Sequence, residues 1–562
     1  MSNSRDSGFL AIVVSYFLMD PDRPVNVGID LGTTNSCIAC VKNNEIEAVA
    51  MPGGERLVPS AASYARENPV FGRIINNYIK QGRTDLARYS KRVMGKGFNS
   101  PEVTELKDQF GCPLIEVNHK PVYEFKSGVR KTPEEVGADI VEYLLSSVKR
   151  FTERKIGDVC VTIPAQFDNN QRTATINAVK KAGIAENHIH VISEPTAAAI
   201  SYLNVNPMQN GRLLIFDFGG GTFDVSIIRV NNNRIIVEAN RGNNHLGGLD
   251  IDYAILKWMK TEYNSLTGNE LPEKDRNGTN KPLLKLLAIA ERAKIDLSVS
   301  PATDIYFEGI QNVDPDFCIQ LTQAKLGFLI QSFVDKAMAV IEDALNASSL
   351  SRRDIDDVIL VGGSTRIRIL REAILNYFNL QPNDNVNVDT IVAEGACAFF
   401  AYNGMISDRT SHSLGQLMGM RNVQCVIPMD SPLPASYTVE ARVRTSMGWA
   451  VTYLYQGKAT QVDELSSTDD CVSLSPFYYD VSEFEDEDTI TVETSFTIKE
   501  SGVVFLTVKE KETGTILLND KMIKYEWYVC LESLSWSCGY IISLTKQKRD
   551  RIVYKLALVE FV

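Results

Sequence analysis

Two short segments of this chain have the same pattern, and that pattern strongly restricts the folds open to it. Residues 29–34 (IDLGTT) and 216–222 (FDFGGGT) each run from an apolar strand through an aspartate into a turn of glycine and threonine. Glycine lets the backbone come close to a phosphate and aim its N–H groups at the oxygens, and threonine hydroxyls add donors. Because Asp30 and Asp217 lie 187 residues apart, we expect a duplicated fold that grips one polyphosphate from both sides.

A third glycine turn strengthens this interpretation. Residues 361–366 (VGGSTR) follow a predicted strand and begin a predicted helix, whose N–H groups suit another part of the phosphate chain. None of the three turns is a P-loop or a dinucleotide fingerprint. Aspartates at strand ends can hold Mg²⁺ through water, since magnesium gives up its hydration shell reluctantly. A single turn of this kind is weak support for a ligand site, but three together predict a site for a magnesium-bound nucleotide.

The composition excludes some classes of protein. The 562 residues are 44% hydrophobic and 23% charged, which is typical of an ordered protein of several domains. The net charge of −12 gives no bulk support for a nucleic-acid partner. The apolar run over residues 9–19 is too short to cross a bilayer, so no membrane partner is expected. Cys37 and Cys40 are interpreted as strand residues rather than a metal or redox pair, and we expect reduced thiols and a cytoplasmic location.

The chain changes in character near residue 404. Residues 25–405 alternate predicted strands and helices, which predicts a mixed α/β domain. Residues 415–520 lack long helical periodicity and contain short β-branched runs, which predicts a small all-β domain. The remaining segments are predicted as an N-terminal extension over residues 1–24, a short polar linker over residues 406–414 and a tail of unknown structure over residues 521–562.

Some local features are also predicted. Thr132, Pro133 and Glu135 predict a capping box with proline at the first helical position. Asp168 is a predicted cap for a helix that runs to Lys181. The acidic cluster over residues 483–488 is interpreted as a solvated loop rather than a metal site.

Four further segments make a resemblance specific. They are residues 91–95 (KRVMG), 192–199 (ISEPTAAA), 245–248 (HLGG) and 291–294 (ERAK). Together with the three turns, they resemble the nucleotide-binding domain of the heat-shock-70 chaperone family, and the match covers roughly residues 25–403. The resemblance implies an actin-like ATPase fold of two duplicated lobes, followed by a small all-β sandwich domain that binds peptides.

The resemblance also implies roles for individual residues. Asp30 and Asp217 match aspartates that hold magnesium through water. Lys91, Glu194, Asp224 and Thr222 match groups around the γ-phosphate and the attacking water, although singly they could be a surface lysine, a helix cap, a strand-end residue and a turn residue. Pro164 and Arg172 match a proline and an arginine that relay the nucleotide state outward. The matches to phosphate and nucleoside contacts are Gly32, Thr33, Thr34, Gly219, Gly220, Gly221, Gly248, Glu291, Lys294, Ser298, Gly362, Gly363, Ser364, Arg366 and Asp389.

The implied cofactors are ATP or ADP with Mg²⁺, and K⁺ is an additional candidate cation. The implied activity is hydrolysis of ATP to ADP and phosphate, possessed by a chaperone that assists protein folding. The implied partners are a J-domain co-chaperone, a nucleotide-exchange factor and unfolded or nascent polypeptides.

The sequence departs from the family pattern in four places. Ile295 stands where family members have an arginine that stacks on adenine. Residues 406–412 are polar where the family has leucines, Gln416 replaces an apolar pocket residue, and nothing after residue 521 resembles the helical lid. These departures favour, as an alternative, a ribosome-associated co-chaperone that binds ATP, acts with a J-domain partner on nascent chains and can dispense with hydrolysis. A small-molecule kinase on the same fold is a third, weaker alternative.

Overall fold

The computed structural model describes residues 23–523, apart from residues 44, 67, 108, 233, 315, 384, 403, 419 and 420, and the backbone of two later strands. The predicted N-terminal extension and most of the predicted tail lie outside the described residues. The chain divides into two compact units. The first holds the chain as far as His412 together with Met429–Ser436 and Thr497–Phe505; the second holds Ser413–Pro428, Tyr437–Phe496 and the chain from Leu506.

The described helices, in chain order, are α1 (Ile74–Lys80), α2 (Ser90–Val93), α3 (Pro101–Leu106), α4 (Pro133–Thr152), α5 (Asn169–Lys181), α6 (Glu194–Val205), α7 (Gly248–Thr267), α8 (Lys281–Asp296), α9 (Gln323–Ala347), α10 (Arg368–Phe378) and α11 (Ile391–Tyr402). The described strands up to the end of the predicted ATPase domain are β1 (Val25–Asp30), β2 (Asn35–Lys42), β3 (Glu45–Ala48), β4 (Val58–Pro59), β5 (Ala62–Ser63), β6 (Leu86–Ala87), β7 (Leu114–Val117), β8 (Lys120–Glu124), β9 (Arg130–Lys131), β10 (Ile156–Ile163), β11 (Ile189–Ser193), β12 (Asn210–Phe218), β13 (Phe223–Asn231), β14 (Arg234–Asn243), β15 (Ala302–Tyr306), β16 (Cys318–Thr322) and β17 (Asp357–Val361). The later strands are β18 (Ile406–Ser407), β19 (Ser413–Met418), β20 (Asn422–Ile427), β21 (Ala435–Arg444), β22 (Trp449–Thr452), β23 (Leu454–Gly457), β24 (Leu465–Ser467), β25 (Val472–Ser473), β26 (Phe477–Asp480), β27 (Thr489–Ile498), β28 (Val504–Glu510), β29 (Ile516–Met522), β30 (Ile541–Thr545) and β31 (Val553–Ala557).

The two large sheets of the first unit share one topology. In the first sheet, β1, β2 and β3 form an antiparallel meander, and β10 pairs with β1 in parallel orientation. In the second sheet, β12, β13 and β14 form the meander, and β17 pairs in parallel with β12. This repeat confirms the predicted duplication in a mixed α/β fold. It also places Asp30 and Asp217 near the ends of equivalent strands.

Helices cover both faces of the second sheet. Leu214 and Phe216 on β12 belong to a core that they share with α7, α8 and α9. Leu213 and Ile215 point to the opposite face and pack with α6 and α11. Successive strand residues face opposite sides, so an almost unbroken apolar run is what a strand buried on both faces requires.

The predicted helix starts are confirmed by their hydrogen bonds. The Thr132 backbone N–H donates to Glu135 Oε2 (2.9 Å), and the Glu135 N–H donates to Thr132 Oγ1 (3.2 Å), which completes the capping box of α4. The Gln171 N–H donates to Asp168 Oδ1 (2.9 Å) at the start of α5. The two helices are therefore fixed by local chemistry that the sequence displays directly.

The strands that follow His412 form an all-β region, as predicted. One sheet has the order β24-β20-β19-β23-β25 and another the order β21-β27-β28-β29. Burial alternates residue by residue along β27, which is the pattern of a strand with one face on a core. The acidic residues of the segment 483–488 are exposed, in agreement with a solvated loop.

The start of the predicted linker is part of the first unit's second sheet. Ile406–Ser407 form β18, which pairs in parallel with β14. Asp408 Oδ1 accepts a hydrogen bond from Asn240 Nδ2 (3.2 Å), and Arg409 Nε donates to a carbonyl of β14 (2.9 Å). Ladder hydrogen bonds come from the backbone, so a polar segment without leucines can still extend the sheet.

Two further predictions concern the cysteines and the membrane. The cysteines in the described part of the chain are free thiols, and Cys37 and Cys40 are buried residues of β2. Among the helices of the described residues, none combines the length and the apolar content needed to cross a bilayer.

Candidate functional site

The three predicted turns of the first unit meet at one place. A Cβ atom added to Gly220 would lie 2.1 Å from Thr34 Oγ1, and one added to Gly221 would lie 2.8 Å from Thr33 Oγ1. The turn after β1 and the turn after β12 are therefore in contact. Ser364 of the third turn donates its hydroxyl proton to the Gly219 carbonyl (3.0 Å). Contacts this close favour glycine and bring the three turns together around one space, where a glycine backbone can come close to a phosphate.

Strand pairing explains why the aspartates come together. Asp217 lies directly opposite Asp224 in the antiparallel pair of β12 and β13, and beside Val361 in the parallel pair of β12 and β17. The end of β17 leads into the third turn, so both carboxylates and that turn lie at the same end of the strands of this sheet. Gly362 adopts φ +82°, and a Cβ there would lie 2.5 Å from the Phe218 carbonyl oxygen, so this position requires glycine.

Lys91 reaches this edge from the short helix α2. The helix starts after Tyr89, whose left-handed backbone (φ 58°, ψ 29°) turns the chain, and Lys91 is only 5% exposed. Its Nζ donates to Glu194 Oε1 in a buried ion pair. Glu194 is the first residue of α6, and the N-cap is Ser193, whose hydroxyl accepts from the Thr196 N–H (3.3 Å). Glu194 is therefore not the helix cap, and its carboxylate is free to pair with the lysine.

The electrostatics of the cluster are unusual. Burial, followed by the charge of Glu194, raises the pKa of Asp30 to about 7, although Lys91 opposes the shift. Burial and Glu194 raise the pKa of Asp224 to about 8. The pKa of Asp217 is raised in the same way, by burial first and then by the three neighbouring carboxylates. Burial lowers the pKa of Lys91, but attraction to the carboxylates outweighs it and the net shift is upward. Four carboxyl groups surround one lysine, so when they ionise their negative charge exceeds the single positive charge of the lysine.

The surroundings of Asp224 indicate most clearly which ligand this site fits. Asp224 is 1% exposed, and although the backbone of Gln166 lies near enough to lower its pKa slightly, neither carboxyl oxygen has a hydrogen bond of ordinary geometry. A buried carboxylate without partners is costly unless a ligand, water or cation completes it. Asp30 and Asp217 present only carboxylate oxygens, the hard donors that Mg²⁺ prefers. The residues present therefore fit a hydrated magnesium ion next to a phosphate chain.

A lysine and a cavity continue the site beyond the turns. Lys294 Nζ donates to the Gly248 carbonyl (3.1 Å) and forms an ion pair with Asp252 (2.7 Å). Lys294 and Ser298 then line a cavity of about 380 Å³ between α8 and the starts of α9 and α10. Ile295, on the same helix, is 51% exposed. The position of this cavity suits the nucleoside part of a nucleotide whose phosphates lie among the turns.

The remaining predicted residues lie around this centre. Arg366 is held by Asp389 through two hydrogen bonds of 2.8 Å. Glu291 lies one turn before Lys294 on α8 and is partly buried. Glycine and threonine complete the first two turns: Gly32 packs on the Asn35 carbonyl, and the Thr222 carbonyl accepts from the Gly219 N–H (3.1 Å). None of these residues belongs to the charged cluster of Lys91 and the four carboxyl groups.

Pro164 and Arg172 stand outside the phosphate turns. The Pro164 carbonyl accepts from the Phe167 N–H (3.2 Å) in the turn after β10. Arg172 on α5 is buried and donates to the carbonyls of Phe167 (3.0 Å) and Ala165 (3.2 Å). Its remaining nitrogen, Nη1, donates to the Ser501 carbonyl (3.2 Å). The arginine thus connects backbone segments, and its role as a relay of the nucleotide state stays a prediction.

Three residues of the site were missed by the sequence predictions. Arg92 Nη1 donates to the Gly221 carbonyl (2.5 Å), and Asp252 holds Lys294. Gly247 packs directly on the second turn and is the N-cap residue of α7. The glycine pair in residues 245–248 could have suggested Gly247. Arg92 lies in the segment 91–95 that carries the resemblance but was assigned no role, and nothing in the local sequence pointed to Asp252.

Gly247 provides a steric test of the turn contacts. A methyl group there would lie 2.7 Å from three backbone atoms of Gly220 and Gly221, which cannot move aside independently. We expect Gly247→Ala to weaken nucleotide binding by more than about tenfold, because it pushes the second turn away from the first. Gly53→Ala is the matched control, since this glycine is exposed and only the flexible carboxylate of Glu55 lies near. Calorimetric titration with ATP and magnesium measures both, and equal affinities in the two variants would contradict this account of the turns.

The comparisons with known proteins agree with this geometry. The family model described as Hsp70 protein matches residues 26–516. The chain is 32% identical over 507 residues to the chaperone protein dnaK of Cyanidioschyzon merolae, a match that covers 87% of this chain and 80% of the relative. It is 31% identical over 504 residues to the chaperone protein DnaK of Thermus thermophilus, covering 87% of this chain and 79% of the relative.

Proposed function

The chain belongs to the Hsp70 protein family of ATP-dependent chaperones, and we propose that it binds Mg-ATP among its three glycine turns and hydrolyses it to drive cycles of polypeptide binding. The observation that carries this proposal is the buried ion pair of Lys91 and Glu194, set among Asp30, Asp217 and Asp224 at the edge where the turns meet. Phosphoryl transfer depends on positioning and charge neutralisation more than on covalent chemistry, and this arrangement supplies both.

Each group has a role that follows from its place. The turns donate backbone N–H groups and threonine hydroxyls to the phosphate oxygens. Lys91 neutralises charge that develops on the γ-phosphate, while Glu194 and Asp224 orient the attacking water and accept its proton. Asp30 and Asp217 would hold Mg²⁺ through its water shell, and the ion would supply charge neutralisation across the phosphate oxygens. The raised pKa values of Asp30 and Asp224 suit groups that bind or release protons near neutral pH.

The nucleoside is proposed to occupy the cavity lined by Lys294 and Ser298. Glu291 and Lys294 lie one turn apart on α8, and Ser298 follows two residues after the end of this helix. These three residues would contact the ribose and base, and the pair of Arg366 and Asp389 would complete the nucleoside contacts. Lys294 connects this cavity to the phosphate turns through the Gly248 carbonyl. K⁺ is a further candidate cation for the phosphate region.

Ile295 provides a prediction for this part of the site. We expect Ile295→Arg to tighten ATP binding by about fivefold, because a guanidinium at this half-exposed position can stack on the base, a contact worth roughly 1 kcal/mol. Val299→Arg is the matched control, since Val299 is 88% exposed and receives the same added charge. ATP affinity is measured by titration calorimetry. If the two variants gained equally, the effect would be long-range charge attraction and the stacking position would be wrong.

The chaperone function has its own test. Refolding of a chemically unfolded enzyme is followed with the protein, a J-domain co-chaperone, a nucleotide-exchange factor and either ATP or a non-hydrolysable ATP analogue. We expect recovery only with ATP and the J-domain partner. Recovery that is the same with the analogue would contradict a hydrolysis-driven cycle. Co-sedimentation with ribosomes in that case would favour the ATP-binding co-chaperone that acts on nascent chains.

A further inference from the structure

The side chain of Arg92 connects the two halves of the first unit, each half being one of the two large sheets with its helices. Arg92 belongs to α2, which packs against α4 beside the first sheet. Its Nη1 donates to the carbonyl of Gly221 (2.5 Å), in the glycine turn between β12 and β13 of the second sheet. The two residues are 129 positions apart in the chain, so this hydrogen bond joins the halves directly.

The aliphatic part of the same side chain lies against the turn. A Cβ atom added to Gly221 would lie 3.0 Å from Arg92 Cδ, and Arg92 is only 6% exposed. A guanidinium that is taken out of water needs polar partners within the protein, because it carries five N–H donors and a permanent charge. The contact with the turn is therefore held by packing as well as by the hydrogen bond.

A carboxylate of the second half lies just beyond hydrogen-bond reach of this guanidinium. Asp250 is in the first turn of α7, and its Oδ2 lies 3.9 Å from Arg92 Nη1. This oxygen has no hydrogen bond of ordinary geometry, and the separation exceeds that of a charged hydrogen bond by about 1 Å. The attraction between the two charges therefore favours a close approach of α7 to α2.

Two adjacent cations of α2 thus have different partners. Lys91 pairs with Glu194 in the charged cluster, whereas Arg92 bonds to the backbone of the second turn. The lysine is placed to act on charge that develops during hydrolysis, and the arginine is placed to hold one phosphate turn against the other half of the unit. We therefore expect the two side chains to control different steps of the ATPase cycle.

We propose that Arg92 is a positioning residue that bridges the two halves through the Gly221 carbonyl and Asp250, and that this bridge sets the rate at which bound ADP leaves. The inference rests on the proposed nucleotide site. Phosphates that lie between the first and second turns can leave only when the contacts between the halves open. Each contact that crosses between the halves stabilises the closed arrangement and slows dissociation of the nucleotide.

Release of ADP is measured on the full chain, loaded with a fluorescent ADP analogue and magnesium and mixed with excess unlabelled ADP. Arg92→Met keeps most of the length of the side chain but removes every donor. We expect it to release the analogue at least about tenfold faster, because a hydrogen bond from a charged group is lost. Hydrolysis of ATP in a single turnover, with the protein in saturating excess, should slow by no more than about threefold, since the Lys91 cluster stays in place.

Arg154→Met is the matched control. Arg154 Nε also donates to a backbone carbonyl distant in the chain, that of Arg23 (2.7 Å), but this contact stays beside the first sheet. We expect Arg154→Met to release the analogue at the unmodified rate. Arg92→Lys keeps the charge and a donor, so its release rate should lie between those of the unmodified protein and Arg92→Met. Thermal unfolding of each variant separates a loss of stability from a loss of this contact.

Asp250→Asn tests the other end of the bridge. Removal of the negative charge alone should speed release by about threefold, and the double variant with Arg92→Met should release no faster than Arg92→Met itself. This lack of additivity is expected only if the carboxylate acts through the arginine. Asp250→Asn and Arg92→Lys still decide the question if Arg92→Met does not fold.

Three results would overturn the proposal. The first is unchanged release in Arg92→Met, or in Arg92→Lys and Asp250→Asn where Arg92→Met does not fold. The second is equal acceleration in Arg92→Met and Arg154→Met. The third is an effect of Asp250→Asn that multiplies that of Arg92→Met. These outcomes are distinct from failure of the proposed function: an unmodified protein that does not bind the analogue would remove the nucleotide site and the bridge together, and bound ATP that stays intact would overturn hydrolysis alone.

Discussion

Replacing Lys91 with alanine is expected to lower ATP hydrolysis by at least about a hundredfold while ATP affinity stays nearly unchanged. Lys91 is buried, bonded to Glu194 and surrounded by Asp30 and Asp217, so it is the positive charge closest to the carboxylates. Backbone N–H groups of the three turns still hold the ground-state phosphates in the variant. The loss therefore falls on the transition state, where charge on the γ-phosphate is redistributed.

Lys96→Ala is the matched control for this prediction. Lys96 is also a largely buried lysine, five residues away, but its partners are Glu102 (3.2 Å) and Asp168 (3.1 Å), outside the carboxylate cluster. We expect this variant to lose thermal stability and to keep its turnover at temperatures where it is folded. Phosphate release and ATP titration are measured on both proteins. A hundredfold loss in Lys96→Ala, or unchanged turnover in Lys91→Ala, would show that the ion pair with Glu194 is structural.

The second large effect concerns pH. The pKa of Asp30 is about 7 and that of Asp224 about 8 in the folded protein, both far above the ordinary value of 3.8. Between pH 4 and 8 the folded chain therefore keeps protons that the unfolded chain has released. The stability that these retained protons contribute to the nucleotide-free protein is fully present below about pH 4 and is lost as the pH rises through 7 and 8. We expect its melting temperature to fall by several degrees over this window.

Magnesium and ATP should reverse this trend. A magnesium ion near Asp30 favours the ionised carboxylate, so binding below pH 7 must release a proton. We expect affinity for Mg-ATP to fall about fivefold from pH 7 to pH 6, and the stabilisation by Mg-ATP to be larger at pH 8 than at pH 6. Chelation of magnesium should abolish the difference.

Asp30→Asn tests the assignment of this pH dependence. The amide cannot titrate, so the variant should show a flatter stability curve without nucleotide and a smaller pH dependence of Mg-ATP binding than the unmodified protein. Thermal unfolding and calorimetry from pH 5.5 to 8.5 measure both properties. A variant with the unmodified pH dependence would mean that another group binds the proton.

Much of the fold could be predicted from local sequence. The glycine turns, the capping box at Thr132 and the cap at Asp168 are encoded in a few adjacent residues, and all of them are present in the structure. The duplicated sheets followed from the repeat of strand, aspartate and turn around Asp30 and Asp217. These features depend on backbone conformation and short-range hydrogen bonds, which residue type largely determines.

The rest of the site depends on tertiary contacts that no local pattern displays. Lys91 and Glu194 are 103 residues apart, and only the resemblance to a known family connected them. The contact of Arg92 with Gly221 and the pairing of Lys294 with Asp252 became visible only with the structure. The pairing of the polar linker with β14 could not be predicted either, because the hydrogen bonds between strands come from the backbone and do not depend on a particular pattern of side chains.

The measurement that most directly tests the central claim is single-turnover hydrolysis of ATP bound in the presence of magnesium. The purified protein is loaded with one equivalent of γ-labelled ATP, freed of excess nucleotide, and followed with and without a J-domain protein. We predict complete conversion to ADP and phosphate, faster with the J-domain partner and absent when magnesium is chelated. ATP that stays bound and intact in the presence of magnesium and the partner would contradict hydrolysis and favour a chaperone that uses ATP only as a ligand.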